Sequence, residues 1–381
     1  MDKLLDLKEL GRQLSTVDTM IMQLVVRRME IAEQVGQYKR IKGEHIFRSE
    51  IEDRRIEAIK VWAVTHKLNP HFAESLLYML INESCKTQMI QLQEEVLDQC
   101  ELVDEDARYE QLKQNLLVLA ERWSCSYNTE YESVNFATQE YLSYERELLF
   151  ADIDNLPDTE LLLDLGCATG RLAFLLCNKF ANVMGYDVSP HMQARANELA
   201  GERGLCPSVS FEQADLEDGI PIPDESASFV VMNLGTSSDV RNVDKVISET
   251  LRVLKRGGRF FFSFYNREAL VYKLEFMPWH VNLAASINIR RDSLDVCVKD
   301  CNSVEGIMSV YAKAYTGQQV SRMFSDCGVE VVITTHPTVS AILPHEIFLN
   351  QPSVRESISS LDRGLVDTSM GAYIIARGRK P

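Results

Sequence analysis

The chain has 381 residues, which is too long for one ordinary domain and suits two. Its apolar and charged fractions, 45% and 25%, are those of a folded globular protein, and its net charge of −16 argues against a nucleic-acid partner, which needs a clustered basic face. No apolar run approaches the roughly 20 residues that cross a bilayer, so the sequence predicts no membrane partner either.

The nine cysteines are scattered, without a C-x-x-C pair or a spacing typical of metal ligands. Isolated thiols of this kind are typical of a reducing compartment. The opening MDKLLDLKEL carries acidic residues and an amphipathic rhythm, unlike a secretory signal or a transit peptide. The sequence therefore predicts a cytoplasmic protein without a metal.

The N-terminal quarter of the chain has the apolar rhythm of helices. Apolar side chains recur at mixed spacings of three and four from about residue 4 to residue 42, and Gly43 follows as a stop. A second helical pattern covers about 49–66, and Asn69-Pro70 opens a third that runs to about residue 95. A first helix on the order of 55–60 Å long is too long for one small domain, which predicts a dimer.

Pieces of these helices match a known family, namely Val25–Ala32, Val35-Gly36-x-x-Lys39 and Glu83-Ser84-x-x-x-Gln88. Residues 4–95 resemble the helical, AroQ-type chorismate mutases, in which three helices of each chain intertwine with those of a partner. The rearrangement of chorismate to prephenate needs positioning and charge stabilisation rather than a nucleophile. By this resemblance Arg28 and Ser84 bind a carboxylate, Lys39 a carboxylate and the ether oxygen, Gln88 the ether oxygen, and Glu52 the ring hydroxyl.

Some positions depart from the pattern of the family. Its first-helix arginine falls on Gly11, and the neighbouring Arg12 is turned by about 100° around the helix. The Asp and the Arg of its Asp-x-x-Arg-Glu piece fall on Arg48 and Ile51. A helical domain that only dimerises or senses chorismate-like acids is therefore the alternative, and an isochorismate–pyruvate lyase shares the same fold and cationic cage.

From Leu161 onward, short apolar runs of strand length alternate with helical stretches. This alternation is typical of a parallel sheet covered by helices on both faces. In LLLDLGCATGR, residues 161–171, an apolar strand ends at an acid, and a glycine turn leads into a helix. The turn matches neither a dinucleotide-binding loop nor a nucleoside triphosphate loop. Asp187 and Asp215 end the next two strands, at the edge where ligands of such sheets bind.

Residues 125–381 resemble the class I S-adenosylmethionine-dependent methyltransferases. The resemblance implies S-adenosylmethionine as cofactor and a Rossmann-like fold with a seven-stranded, mostly parallel sheet. It assigns residues to the parts of the cofactor as follows: Asp164, Gly166, Cys167 and Gly170 to the methionine end, Asp187 to the ribose, Asp215 and Leu216 to the adenine, and Asn233 to the end of the fourth strand.

The domain organisation that we predict is a chorismate mutase-like helical domain at 1–96, a connecting helix at 97–124 and a methyltransferase domain at 125–381. The expected function is that of a bifunctional, homodimeric enzyme that makes prephenate and methylates a small chorismate-derived acid. Pro337–Ser369 is predicted to cap the acceptor site, and the candidates for acceptor contact are His280, His336 and His345.

A different chemistry for the second domain is also open. Carboxy-S-adenosylmethionine synthases share the methyltransferase fold and use prephenate as carboxyl donor, which would explain the fusion. Such a site needs a cation aimed at the prephenate carboxylate. Arg322 lies near the expected position but not on it.

Overall fold

The computed structural model describes residues 7–42, 49–100, 105–127, 136–273, 283–288, 293–299, 307–343 and 352–381. Its contacts divide the chain into two units, Met1–Val103 with Cys301–Gly306, and Asp104–Asp300 with Ile307–Pro381. The helix Glu105–Trp123, which lies within the stretch predicted as a connecting helix at 97–124, belongs to the second unit. None of the helices in these ranges is long and apolar enough to cross a bilayer.

The first unit consists of three helices, as the sequence predicts. They are α1 (Leu7–Lys42), α2 (Ser49–Thr65) and α3 (Pro70–Cys100). At α3 the side-chain oxygen of Asn69 accepts a hydrogen bond from the backbone N–H of His71 at 2.9 Å. Pro70 has no backbone N–H and so needs no such acceptor. Asn69-Pro70 therefore begins the helix in the way predicted. The third helix ends about five residues later than expected.

Helix α3 packs against both α1 and α2 through small buried side chains. Ala32, Ala63 and Ala73 have exposed fractions of 7%, 0% and 4%. Larger apolar side chains of α1 remain exposed in the single chain, including Leu14 at 65% and Leu24 at 69%. A small core beside an uncovered apolar helix face is what a domain shows when part of its apolar surface is buried by another chain.

Two glycines of α1 differ in their surroundings and give a matched prediction. A Cβ on Gly36 would lie 2.8 Å from Cγ of Gln88, whereas a Cβ on Gly11 would meet nothing within 4 Å. We expect Gly36→Ala to destabilise the helical unit by about 1–3 kcal/mol through overpacking. Gly11→Ala should stabilise it by up to about 1 kcal/mol, the helix preference of alanine over glycine. Thermal and urea unfolding of the two variants measures both signs, and equal effects would contradict the packing of α1 on α3.

The second unit is built on a sheet whose strands are β1 (Leu161–Leu165), β2 (Asn182–Asp187), β3 (Val209–Gln213), β4 (Ala227–Met232), β5 (Leu254–Asn266), β10 (Val331–His336) and β11 (Tyr373–Arg379). Their order is β10-β11-β5-β4-β1-β2-β3. Only β11 runs antiparallel to its neighbours. The short β9 (Ala314–Tyr315) pairs in parallel with the end of β5. This arrangement confirms the predicted seven-stranded, mostly parallel sheet.

Helices cover both faces of the sheet. They are α4 (Glu105–Trp123), α5 (Phe136–Ile153), α6 (Arg171–Leu176), α7 (Pro190–Glu202), α8 (Val243–Val253), α9 (Leu270–Lys273), α10 (Gly317–Asp326) and α11 (Pro352–Gly364). Side chains of α8 and α10 pack in one core, and those of α5, α6 and α7 in the other. Successive side chains of β5 point to opposite faces of the sheet, so Phe260 and Phe262 pack in the first core and Phe261 packs in the second.

The sequence analysis did not predict a second, antiparallel sheet inserted after β5. Its strands are β6 (Leu283–Asn288), β7 (Ser293–Lys299) and β8 (Ile307–Val310). Leu119 of α4 packs against Leu294 and Val296 of β7. Asn115 donates a hydrogen bond to the backbone oxygen of Ser309 at 2.8 Å. These contacts fix α4 to the second unit.

Candidate functional site

The helical unit brings Arg28 of α1 against Ser84 of α3. The guanidinium of Arg28 donates to the hydroxyl of Ser84 and to the backbone oxygen of Leu80. The Ser84 hydroxyl in turn donates to Leu80 at 2.8 Å. Ser84 has an exposed fraction of only 7%. The two residues assigned to a carboxylate are therefore neighbours on facing helices.

Lys39 and Gln88 are the other two assigned cage residues that are buried, at exposed fractions of 6% and 5%. The Gln88 amide nitrogen donates to the backbone oxygen of Ser84 at 3.0 Å, and its Oε1 is buried without a hydrogen-bond partner. A side-chain amide nitrogen carries two hydrogens, so Gln88 can still donate one to a ligand. Glu52 lies in α2, but its side chain is outside the described residues.

The departures from the mutase pattern are visible in α1. Gly11 leaves open space, and Arg12 points to an exposed partner, with its guanidinium 3.1 Å from the Glu9 carboxylate. Ile51 is half-buried in α2, and Arg48 lies outside the described residues.

At the carboxyl edge of the large sheet, the turn after β1 depends on two glycines. Gly166 and Gly170 have φ of 69° and 89°, the region that favours glycine. A Cβ on Gly166 would lie 2.3 Å from Cγ2 of Thr236, and one on Gly170 2.6 Å from the Phe211 ring. The backbone N–H of Gly166 donates to the Tyr186 oxygen at 2.7 Å. The turn is thus closed tightly over the ends of β2 and β4.

Asp187 ends β2 and ties this turn to the next helix. Its two carboxylate oxygens accept from the backbone N–H groups of Ala168 and Ser189, both at 2.8 Å. Burial raises the pKa of Asp187, and the two N–H donors oppose that shift. Each carboxylate oxygen has a second lone pair, so the group can still accept from the two hydroxyls of a ribose.

Asp164, at the end of β1, is nearly inaccessible, with an exposed fraction of 3%. Burial raises the pKa of Asp164 to about 7, against the opposing charge of Arg171 and a hydrogen bond from Ala173. That backbone N–H donates to Asp164 at 3.2 Å. Cys167, in the turn, is also buried, and burial raises the pKa of its thiol, which keeps it protonated and packed.

The raised pKa of Asp164 predicts that binding of the cofactor depends on pH. The cationic methionine end favours ionised Asp164, and with a pKa of about 7 most of the carboxyl is protonated at ~pH 6. Affinity for S-adenosylmethionine should therefore rise by about tenfold between ~pH 6 and ~pH 7.5, with a proton released on binding at the lower pH. Calorimetry in two buffers measures both. Asp164→Asn should flatten the profile, and an unchanged slope in that variant would contradict the assignment.

Asp215, assigned to the adenine, is not left free in this chain. Its carboxylate forms an ion pair with Lys113 of α4 and accepts the backbone N–H of Glu217 at 3.0 Å. Burial lowers the pKa of Lys113, but Asp215, together with Glu217 and Glu110, raises it, and the net shift is upward. The hydroxyl of Tyr109, also on α4, donates to Glu217 at 2.9 Å. Leu216 is packed in the core, at an exposed fraction of 6%.

Asn233 follows β4 and is held by a tyrosine that the sequence analysis did not assign. The hydroxyl of Tyr141 in α5 donates to the Asn233 side-chain oxygen, and Nδ2 of Asn233 is buried without a partner. Tyr141 is fully buried, and burial raises its pKa. One turn further, Glu145 binds Arg171 through two hydrogen bonds of 3.0 Å.

Of the three histidines proposed as acceptor contacts, His336 lies in the described part of the chain. His336 is fully buried and packs against Tyr144, with ring centroids 4.6 Å apart and ring planes tilted by 45°. Burial lowers the pKa of His336 to about 4. It therefore packs as a neutral ring, and His280 and His345 lie outside the described residues. Arg322 is exposed on α10.

The residues at this edge fit a nucleoside with an amino-acid tail. Two positive-φ glycines leave no room for a Cβ, a carboxylate at β2 has free lone pairs, and Nδ2 of Asn233 is a buried donor without a partner. Buried polar atoms of this kind need a ligand to complete them. Among the described residues no group of three or more His, Cys, Asp or Glu side chains could hold a metal ion.

Two families match the chain, chorismate mutase type II over residues 10–89 and a methyltransferase domain over residues 163–262. The chain is 28% identical over 149 residues to the chloroplastic tocopherol O-methyltransferase of Arabidopsis thaliana, covering 38% of this chain and 42% of that protein. It is 36% identical over 104 residues to the ubiquinone/menaquinone biosynthesis C-methyltransferase UbiE of Brucella anthropi, covering 26% and 38%. The chain thus spans about two fifths of the length of these curated relatives.

Among solved structures, an S-adenosylmethionine-dependent methyltransferase from Clostridium acetobutylicum is similar, with a TM-score of 0.43 and 15% identity, over 68% of this chain and 97% of that chain. The two family matches fall on the two units of the fold. The chain is therefore a fusion of a chorismate mutase type II domain with an S-adenosylmethionine-dependent methyltransferase domain. This confirms the two family resemblances and the cofactor predicted from the sequence.

Proposed function

We propose that the chain is a bifunctional enzyme. Its helical domain converts chorismate to prephenate, and its second domain transfers a methyl group from S-adenosylmethionine to a small chorismate-derived acid. The observation that supports the first activity is the cluster of Arg28, Ser84, Lys39 and Gln88 on facing helices. The fusion itself supports the acceptor class.

In the helical domain, the proposed chemistry is positioning and charge. Arg28, oriented by Ser84 and Leu80, supplies a planar guanidinium for bidentate binding of a carboxylate. Lys39 and Gln88 supply buried donors, where hydrogen bonds to developing negative charge are strong. Glu52 completes the assigned set through the ring hydroxyl.

In the methyltransferase domain, the bound cofactor supplies an activated methyl group on a sulfonium. The chain's own residues bind, orient and exclude water. Asp187 is proposed to hold the ribose, and Asp215 and Leu216 the adenine. Asp164, Cys167 and the two turn glycines are proposed to hold the methionine end. Nδ2 of Asn233, which is buried without a partner, is proposed as a further donor to the cofactor.

A homodimer through the helical domain is part of the proposal. The exposed apolar side chains of α1 supply a surface of the kind that dimers bury, with Met22 at 61% and Ile41 at 79%. Light scattering after gel filtration measures the mass directly. A monomer at micromolar concentration would contradict it. The cytoplasmic location rests only on the scattered, isolated cysteines.

The alternative for the helical domain is binding without turnover. It is favoured by the open space at Gly11 and by the exposed pairing of Arg12 with Glu9. A chorismate assay on the full chain separates the two functions. A rate above buffer that follows enzyme concentration supports the mutase, whereas calorimetric binding of chorismate without turnover supports a sensor. The same experiment with isochorismate, followed by pyruvate release, tests the lyase.

The acceptor proposal is tested by release of S-adenosylhomocysteine with chorismate, prephenate and aromatic 2-oxo acids as substrates. Release with at least one acid supports methyl transfer. A carboxylated cofactor formed from prephenate would instead support the carboxy-S-adenosylmethionine synthase, and no product with any acid would contradict the acceptor class. Arg322, the cation considered for that carboxylation, is exposed on α10.

A further inference from the structure

Helices α5 and α11 of the second unit lie side by side. Arg363 of α11 binds Glu147 of α5 at 2.7 and 2.9 Å, and Arg355 contacts Phe136 and Gln139 of α5. The first turns of both helices therefore lie side by side. Because the C-terminal part of α5 holds Arg259 at the start of β5, its first turn lies at the carboxyl edge of the sheet. The cofactor site is at that same edge.

Arg355 is held there as a half-buried cation. Its guanidinium lies over the Phe136 ring, 5.0 Å from the centroid. One terminal nitrogen reaches the Gln139 side-chain oxygen at 3.4 Å, a long hydrogen bond, and Nε is buried without a partner. A guanidinium stacked on a ring face keeps its edge free for a planar anion.

Other half-buried arginines that contact α5 each bind one of its carboxylates. Arg363 binds Glu147, Arg171 binds Glu145, and both Arg259 and Arg377 bind Asp152, each at 2.7–3.2 Å. In the described part of the chain Arg355 has no such carboxylate, although acidic residues outnumber basic ones by 16. Glu140 follows Gln139 in α5, and its side chain projects about 100° further around the helix axis. Its Oε2 is buried without a hydrogen-bond partner.

We propose that Arg355 binds a carboxylate of the methyl acceptor and makes the second domain specific for acids. This inference rests on the proposed function, since it assigns a residue to its acceptor class. The carboxylate takes the place of the long Gln139 contact and forms a charge-assisted, bidentate pair with the guanidinium. Phe136 packs beneath the guanidinium and restricts it to one plane. Arg355 is thus a specificity residue, and it takes no part in breaking or making bonds.

The test uses the full chain and S-adenosylhomocysteine release, which reports only on the second domain. The acceptor probes are prephenate and an aromatic 2-oxo acid, each compared with its methyl ester. For Arg355→Met we expect the KM of the acid to rise on the order of 30- to 100-fold with kcat nearly unchanged, as for an interaction equal in ground and transition states. The KM of Arg355→Lys for the acid should lie between those of the wild type and Arg355→Met. The matched control is Arg363→Met, on the same helix, which should leave the KM unchanged.

The outcomes separate this inference from the proposed function. An unchanged KM for Arg355→Met, with the wild-type chain methylating the acid, overturns the role of Arg355 alone. Equal use of acids and their methyl esters by the wild-type chain overturns the acid specificity and leaves the methyltransferase intact. Absence of S-adenosylhomocysteine release by the wild-type chain with every acid overturns both. Melting curves for the three variants show whether each is folded.

Discussion

Replacing Asp187 by alanine is expected to weaken binding of S-adenosylhomocysteine on the order of 10²- to 10⁴-fold. Two hydrogen bonds from ribose hydroxyls to a carboxylate contribute about 1.5–3 kcal/mol each. The substitution also leaves the backbone N–H groups of Ala168 and Ser189 without their partner, so the turn after β1 loses its anchor. Calorimetric titration of the purified chain measures the loss.

A conservative variant and a matched control make this result specific. Asp187→Asn keeps one acceptor oxygen and should give an intermediate loss. Glu212→Gln removes an exposed carboxylate from the neighbouring β3 and should leave the affinity unchanged. Wild-type affinity in folded Asp187→Ala protein would show that the ribose binds elsewhere.

The second large effect is expected at Arg28. Arg28→Met removes the proposed carboxylate clamp from a buried site, a loss of about 2–5 kcal/mol or roughly 30- to 5000-fold in kcat/KM for chorismate. Ser84 then loses its charged partner as well. The rate is followed by the disappearance of chorismate, with the full chain at a concentration where its oligomeric state is known.

Arg27 provides the control for Arg28. It is the preceding residue of α1, is exposed at 64%, and binds Glu30 at 2.6 Å on the helix surface. Arg27→Met should therefore keep the mutase rate within about twofold, because surface ion pairs contribute little. Equal losses in both variants would indicate a general effect of helix charge rather than a clamp.

Much of the fold could be predicted because its patterns are local. The apolar spacing of α1 and the Asn69-Pro70 start of α3 are readable within a few turns of helix. The strand-turn-helix at Leu161–Arg171 is similarly self-contained. By contrast, β6 and β7 are short antiparallel strands without a repeated glycine turn, so no sequence signal distinguished them from loop. The sequence also holds no local signal that α4 joins the second unit, because it does so through long-range contacts such as Asn115 with Ser309.

The same distinction holds for the site residues. Residues at strand ends, such as Asp164 and Asp187, follow from the topology of a parallel sheet. The side-chain partners of other site residues come from distant segments: Lys113 reaches Asp215 across 102 positions, and Tyr141 reaches Asn233 across 92. Arg355 could not be distinguished from any other helix arginine in the sequence. Only the contacts reveal that, within the described part of the chain, it binds no carboxylate.

One incubation tests the central claim most directly. The full chain, chorismate and S-adenosylmethionine are incubated together, and the products are identified by mass spectrometry. A bifunctional enzyme should consume chorismate, release S-adenosylhomocysteine, and yield an acid heavier than its chorismate-derived precursor by one methylene. Consumption of chorismate with a carboxylated cofactor, or with S-adenosylmethionine left intact, would contradict the account.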